Sequence, residues 1–154
     1  MPTDRLTFTD YRALAEFRYQ LRRFERFSER AARAVGLEPQ QHQLLLAVKG
    51  MPAGVHATIG LLAARLQVQH HTAVELVDRM QARGLVRRSR AGADRRRVFV
   101  HLTRRAEAVL PRLSQTHRTE LRSVAPALRR TLDSFLPVAT AVRVLDRVTG
   151  GRGA

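Results

Sequence analysis

The stretch TIGLLAARLQVQHHTAVELVDRMQARGLVRRSRAGADRRRVFVHLT, Thr58 to Thr103, decides the fold. Thr58 is placed to cap a short helix over Ile59–Leu66 whose apolar side is Ile59, Leu62, Ala63 and Leu66. A brief turn at Gln67-Val68 leads to a second helix, from about Gln69 to Arg83, which Gly84 ends. Its inward face is Ala73, Leu76, Val77 and Met80, spaced i, i+3, i+4, i+7. Two short helices joined by a tight turn form a helix-turn-helix candidate. Leu85–Ser89 then reads as a strand, Arg90–Asp94 as a turn and Arg97–Leu102 as a strand, in which Val98, Val100 and Leu102 alternate with Phe99 and His101. A β-hairpin directly after a helix-turn-helix is a wing.

On the N-terminal side, Leu14, Phe17, Leu21, Phe24, Ser28, Ala31 and Val35 recur at alternating spacings of three and four, the stripe of one long helix over about Thr9 to Val35. Gly36 stops it in the left-handed cap position. The aromatic stripe suits burial within the chain, against a second subunit, or both. Pro39 opens the next helix at its first position, with Leu44, Leu45 and Val48 inward, and the Gly50–Gly54 stretch breaks the chain. On the C-terminal side, Thr103 caps a helix whose apolar side is Val109, Leu110, Leu113, His117, Leu121 and Val124. Pro111 and Pro126 are each expected to kink or end it. After Pro137 a last amphipathic helix carries Val138, Ala141, Val142, Leu145 and Val148, and the Gly150–Ala154 tail is expected to be disordered.

The whole chain, 154 residues, is one domain's worth. It holds no Cys, which removes disulfides, thiolate metal sites and cysteine nucleophiles. Its apolar runs fall well short of the ~20 residues that span a bilayer. The N-terminus carries early acids and no apolar signal segment, so a cytoplasmic location is expected. Neither a Gly-rich phosphate loop nor a recognisable hydrolase or metalloprotease motif occurs, which argues against an enzyme.

The formal net charge is +15, and of 28 basic residues only Lys49 is a lysine. Arg83, Arg87, Arg88, Arg90, Arg95, Arg96 and Arg97 crowd the hairpin against Asp94 alone. A solvated surface mixes signs more evenly. This pattern points to a polyanion, and nucleic acid fits it best.

The motifs TIGLLAARL, VQHHTAVELVDRMQARGLVRR and DRRRVFVHLT resemble the winged helix-turn-helix core of MarR-type bacterial transcriptional regulators. The flanking helices follow that family's order. The sequence departs from the family pattern at Glu38, where a better capping residue is common, at Ala106, where Gly is frequent, and at Pro111. The resemblance implies a mainly α fold with a small β-hairpin (α+β). A winged helix-turn-helix over 37–102 would be flanked by dimerisation helices over 1–36 and 103–149. It further implies a homodimer on double-stranded DNA, with no cofactor and no membrane partner. Such a regulator would act as a repressor and read a pseudo-palindromic operator. Many relatives release DNA when a small aromatic or phenolic effector binds, and Phe17, Tyr19, Phe24, His42 and His117 are the candidates to line such a pocket, against the simpler reading of packed core residues.

With the apolar face of the second short helix turned inward, the opposite face carries His71, Glu75, Asp78 and Arg79. The N-terminal turn of a recognition helix meets base edges, so Gln69, His70, His71, Thr72 and Glu75 are the candidate base readers and Arg79 a phosphate ligand. His70 and His71 project about 100° apart on a helix, which disfavours a shared metal ion. In the wing the family pairs an Asp with an Arg that enters the minor groove, here Asp94 and Arg96. Arg87, Arg88, Arg90, Arg95 and Arg97 are then phosphate ligands or solvated neighbours. The competing reading is a nucleic-acid-binding protein without sequence preference, architectural or RNA-associated.

Overall fold

A computed structural model describes residues 5–90 and 97–135. Within them lie five helices and one hairpin: α1 Phe8–Ala34, α2 Pro39–Lys49, α3 Ile59–Leu66, α4 His70–Ala82, β1 Val86–Arg90, β2 Val98–Leu102 and α5 Arg104–Asp133. The expected wing-tip residues Asp94, Arg95 and Arg96, the helix after Pro137 and the tail lie outside the described residues.

Residues 27–118 form one compact unit. Its core joins Leu44 and Leu45 of α2, Leu62 of α3, Leu76, Val77 and Met80 of α4, Val86 and Val100 of the hairpin, and Leu110 and Leu113 of α5. The predicted inward face of α4 is buried at all four positions. Thr58 caps α3 by accepting from Leu61 N–H at 3.3 Å, and Thr103 caps α5 by accepting from Ala106 N–H at 3.3 Å. The start of α2 is closed from the other direction: Gln41 Oε1 accepts from Glu38 N–H at 3.1 Å, which compensates for the poor capping residue.

Three helix ends share one geometry. At Gly36, Gln67 and Gly84 the backbone turns left-handed, with φ of 78°, 54° and 67°. In each case the next residue's N–H returns to a carbonyl five residues back, Leu37 to Ala32, Val68 to Ala63 and Leu85 to Met80. Such caps satisfy orphan carbonyls of the last turn. The α3–α4 turn therefore rests on a left-handed glutamine rather than a glycine.

β1 and β2 pair antiparallel, Val86 opposite Leu102, Arg87 opposite His101 and Arg90 opposite Val98. Arg90, expected in the turn, is the last paired residue of β1. An isolated bridge between Thr58 and Phe99, with Val100 N–H donating to Ala57 at 2.8 Å, ties the loop before α3 to β2. That bridge sets the wing beside the start of α3.

Residues 1–26 and 119–154 make the second unit, described over 5–26 and 119–135. Thr7 and Asp10 close the start of α1 reciprocally: Asp10 N–H donates to Thr7 Oγ1 at 3.2 Å and Thr7 N–H to Asp10 Oδ2 at 2.7 Å. The Thr7 hydroxyl and then its N–H, both donating to the carboxylate, hold Asp10 below the usual carboxylate range. The side chains of Phe8, Tyr11, Leu14, Leu121 and Leu132 stay exposed in the single chain. Leu14 and Leu121 lie on the apolar stripes read from the sequence; spacing defines an apolar face, but not what covers it.

Neither proline ends the last described helix. α5 runs helical through Pro111 and Pro126 to Asp133. Each proline costs the helix one N–H bond, but both are exposed, as are the side chains of Glu107 and Arg122, four residues back. The orphaned carbonyls on that face can be hydrated rather than buried.

Candidate nucleic-acid interface

The outer face of α4 is open: His70, His71, Glu75, Asp78 and Arg79 are exposed and Thr72 is half-buried. Gln69, expected inside the first turn, is instead the extended N-cap residue. His70 shares a recess of about 380 Å³ with Thr58, Gly60 and Arg97. The beginnings of both short helices thus meet one arginine of the wing, and each helix start leaves backbone N–H groups without an intrahelical acceptor. Thr58 and Gly60 belong to this recess although sequence reasoning used Thr58 only as a cap. The signal for a second role was its place before the first helix of the motif, which crosses the DNA backbone in such folds.

Arg79 is placed apart from that recess, beside Glu38, Pro39 and Gln40 at the start of α2. Arg90 and Arg97 are exposed, and among the described residues neither carries an ion pair.

Arg88 has partners within the chain: its Nη2 donates to Asp78 Oδ1 at 2.6 Å and its Nη1 to Gln81 Oε1 at 3.0 Å. Strand alternation puts Arg88 on the α4 side of the hairpin. Arg87 consequently lies on the other side, opposite His101, in a groove with Lys49 and His56. Arg83, counted with the basic cluster, is also structural: it donates to Gln41 Oε1 at 2.5 Å and to the Gly36 carbonyl at 2.7 Å.

The candidate effector residues are distributed over both units. Tyr19 lines an open groove of the unit 1–26/119–154 with Arg12, Glu16, Ala127 and Arg130, and Phe17 and Phe24 of the same unit are half-buried. In the unit 27–118, His42 and His117 are buried with ring centroids 4.5 Å apart, and Phe27, not singled out from sequence, meets His117 edge-on at 5.7 Å. His117 Nδ1 faces the Leu113 carbonyl and Nε2 the Ser28 hydroxyl, both at 2.8 Å. Neither ring nitrogen of His42 has a hydrogen-bond partner among the described atoms. Burial first, and His117 second, push His42 down to about 4. Among the described residues no three His, Asp or Glu side chains gather as a metal site, and no helix is long and apolar enough to cross a membrane.

A helix-turn-helix followed by a hairpin bridged back to its first helix defines a winged helix-turn-helix protein. Residues 35–97 match the MarR family model, a family of transcriptional regulators. Its structure is similar to MosR of M. tuberculosis, a transcriptional regulator solved in complex with DNA, at 29% identity and TM-score 0.56, over 82% of this chain and 94% of that one. It is also similar to a MarR-family regulator of Silicibacter pomeroyi, at 26% identity and TM-score 0.58, over 84% and 85% of the two chains. AbsC of Streptomyces coelicolor shares the fold at 21% identity and TM-score 0.64, over 95% and 93%. No protein of curated function matches the sequence.

Proposed function

We propose that this protein is a sequence-specific double-stranded-DNA-binding transcriptional regulator that represses by occupying a pseudo-palindromic operator as a homodimer. The observation that carries the reading is the joint exposure of α4's polar face and of Arg97 beside the starts of α3 and α4, with Arg90 exposed at the end of β1. His71, Glu75 and Gln69 read base edges; His70 and Thr72 sit at the helix start, where bases or phosphates are in reach. Arg90 and Arg97 take phosphates, and Asp94 with Arg96 act at the wing tip, with Arg95 beside them. Arg79 takes a phosphate lower on the same helix. The exposed apolar side chains of α1 and α5, Phe8, Tyr11 and Leu14 with Leu121 and Leu132, support a second copy as their cover.

Release by a small aromatic or phenolic ligand belongs to the same reading. Its support is His42, a buried ring whose nitrogens lack partners and would gain one from a ligand hydroxyl or carboxyl.

Selection of bound duplexes from a random library tests the core of the proposal. The expected product is an inverted repeat with half-sites about 34–36 Å apart. Recovery without consensus would instead favour the architectural alternative.

A further inference from the structure

The side of the hairpin that faces away from α4 carries a second basic site. Arg87 and His101 oppose each other across the ladder. With Lys49 at the end of α2, His56 from the α2–α3 loop and Glu107 from α5, they line a groove of about 420 Å³ within the unit 27–118. The single acid is already engaged, since Lys49 Nζ donates to Glu107 Oε1 at 3.2 Å. Among the described residues Arg87 has no ion-pair or hydrogen-bond partner. The His56 ring is held flat on Phe99, with centroids 4.5 Å apart and planes 20° apart. His101 shares a hydrogen bond of 2.7 Å with Ser89 through Nε2. Met51 and Val55 supply an apolar flank.

We propose that this groove binds a small dianionic ligand bearing a phosphate-like group or paired carboxylates, at a site separate from the α4 face and from His42. Arg87 offers the planar fork that matches either anion. Lys49 adds charge, and the ring nitrogens of His56 and His101 donate once protonated. The existing electrostatics fit: burial, then Arg87, then His56 hold His101 below the ordinary imidazole range. Positive groups thus surround His101 without an anion among them other than the Glu107 carboxylate that Lys49 engages, and an incoming anion relieves that repulsion.

The test is a histidine NMR titration of the full chain from about pH 5 to 8, at constant ionic strength, with chloride replaced by sulfate in one series and succinate in another. The expected result is a saturable upward shift of the His101 titration with sulfate, succinate or both. Sulfate alone identifies a phosphate-like ligand, and succinate alone a dicarboxylate. Arg87→Ala should weaken the apparent affinity about tenfold, as expected for loss of a charge-assisted hydrogen bond, and Arg87→Lys should fall between, with the resonances of His42, His70, His71 and His117, all outside the groove, unchanged as a check of folding. The proposal is overturned if neither anion moves His101 more than chloride does, or if Arg87→Ala responds as the natural chain. No DNA enters the titration, so its failure and the failure of the operator reading are separate outcomes.

Discussion

Arg88 of β1 reaches back to Asp78 of α4, with 2.6 Å between Nη2 and Oδ1, and the same guanidinium holds Gln81. The pair ties the root of the wing to the helix proposed to read bases. Removing an acid from a DNA-facing surface should, by charge alone, tighten binding. If the pair positions the wing, Asp78→Ala should instead weaken operator binding, as Arg88→Ala does, by about 1 kcal/mol or fivefold. The double variant should cost little more than either single one. Fluorescence anisotropy across a salt series measures this, and the salt slope should stay that of the natural protein.

Arg97 should behave differently. It is exposed and unpaired among the described residues, so Arg97→Ala should weaken binding to operator and random duplex alike and reduce the salt slope by about one. His71→Ala should lose affinity for the operator chiefly. Equal losses on both duplexes for His71→Ala would contradict its role as a base reader.

The buried His42 makes stability depend on pH. Its folded value of about 4 lies below the ordinary imidazole value of 6.5, so between those values the unfolded chain binds the extra proton. Stability from the neutral ring is fully present above 6.5 and is lost as pH falls toward 4, by about 3 kcal/mol in total. Urea midpoints measured across this window should fall in the natural chain and flatten in His42→Leu.

Two glycines with equally open surroundings should respond with opposite sign. A Cβ at Gly60 or at Gly84 would meet no atom within 4 Å. Gly84 has φ of +67°, so Gly84→Ala should destabilise by about 1 kcal/mol through left-handed strain. Gly60 lies in the first turn of α3, so Gly60→Ala should stabilise by up to ~1 kcal/mol through helix propensity. Thermal melts of the two variants read both effects.

Thr58→Ala removes the α3 cap and should cost about 1 kcal/mol. If Thr58 also lies against a phosphate, its loss should lower DNA affinity beyond what Thr58→Ser, which keeps the hydroxyl, produces.

The order of elements, the caps at Thr58 and Thr103, the glycine stops at Gly36 and Gly84 and the buried face of α4 were all legible in the sequence. These depend on local dihedral preference and on a 3.6-residue period, both written in neighbouring residues. What each arginine does was not legible. Arg87 and Arg88 are adjacent and chemically identical, yet strand alternation sends one to Asp78 and the other to the groove with His101. The partners come from positions 10 and 14 residues away, which no local pattern marks. The continuity of α5 through its prolines, which lie on an exposed face, was likewise not legible, nor was the solitude of His42, which depends on what packs around it. Periodicity specifies which face turns inward; only the folded arrangement specifies which charges are neutralised there and which remain for a partner.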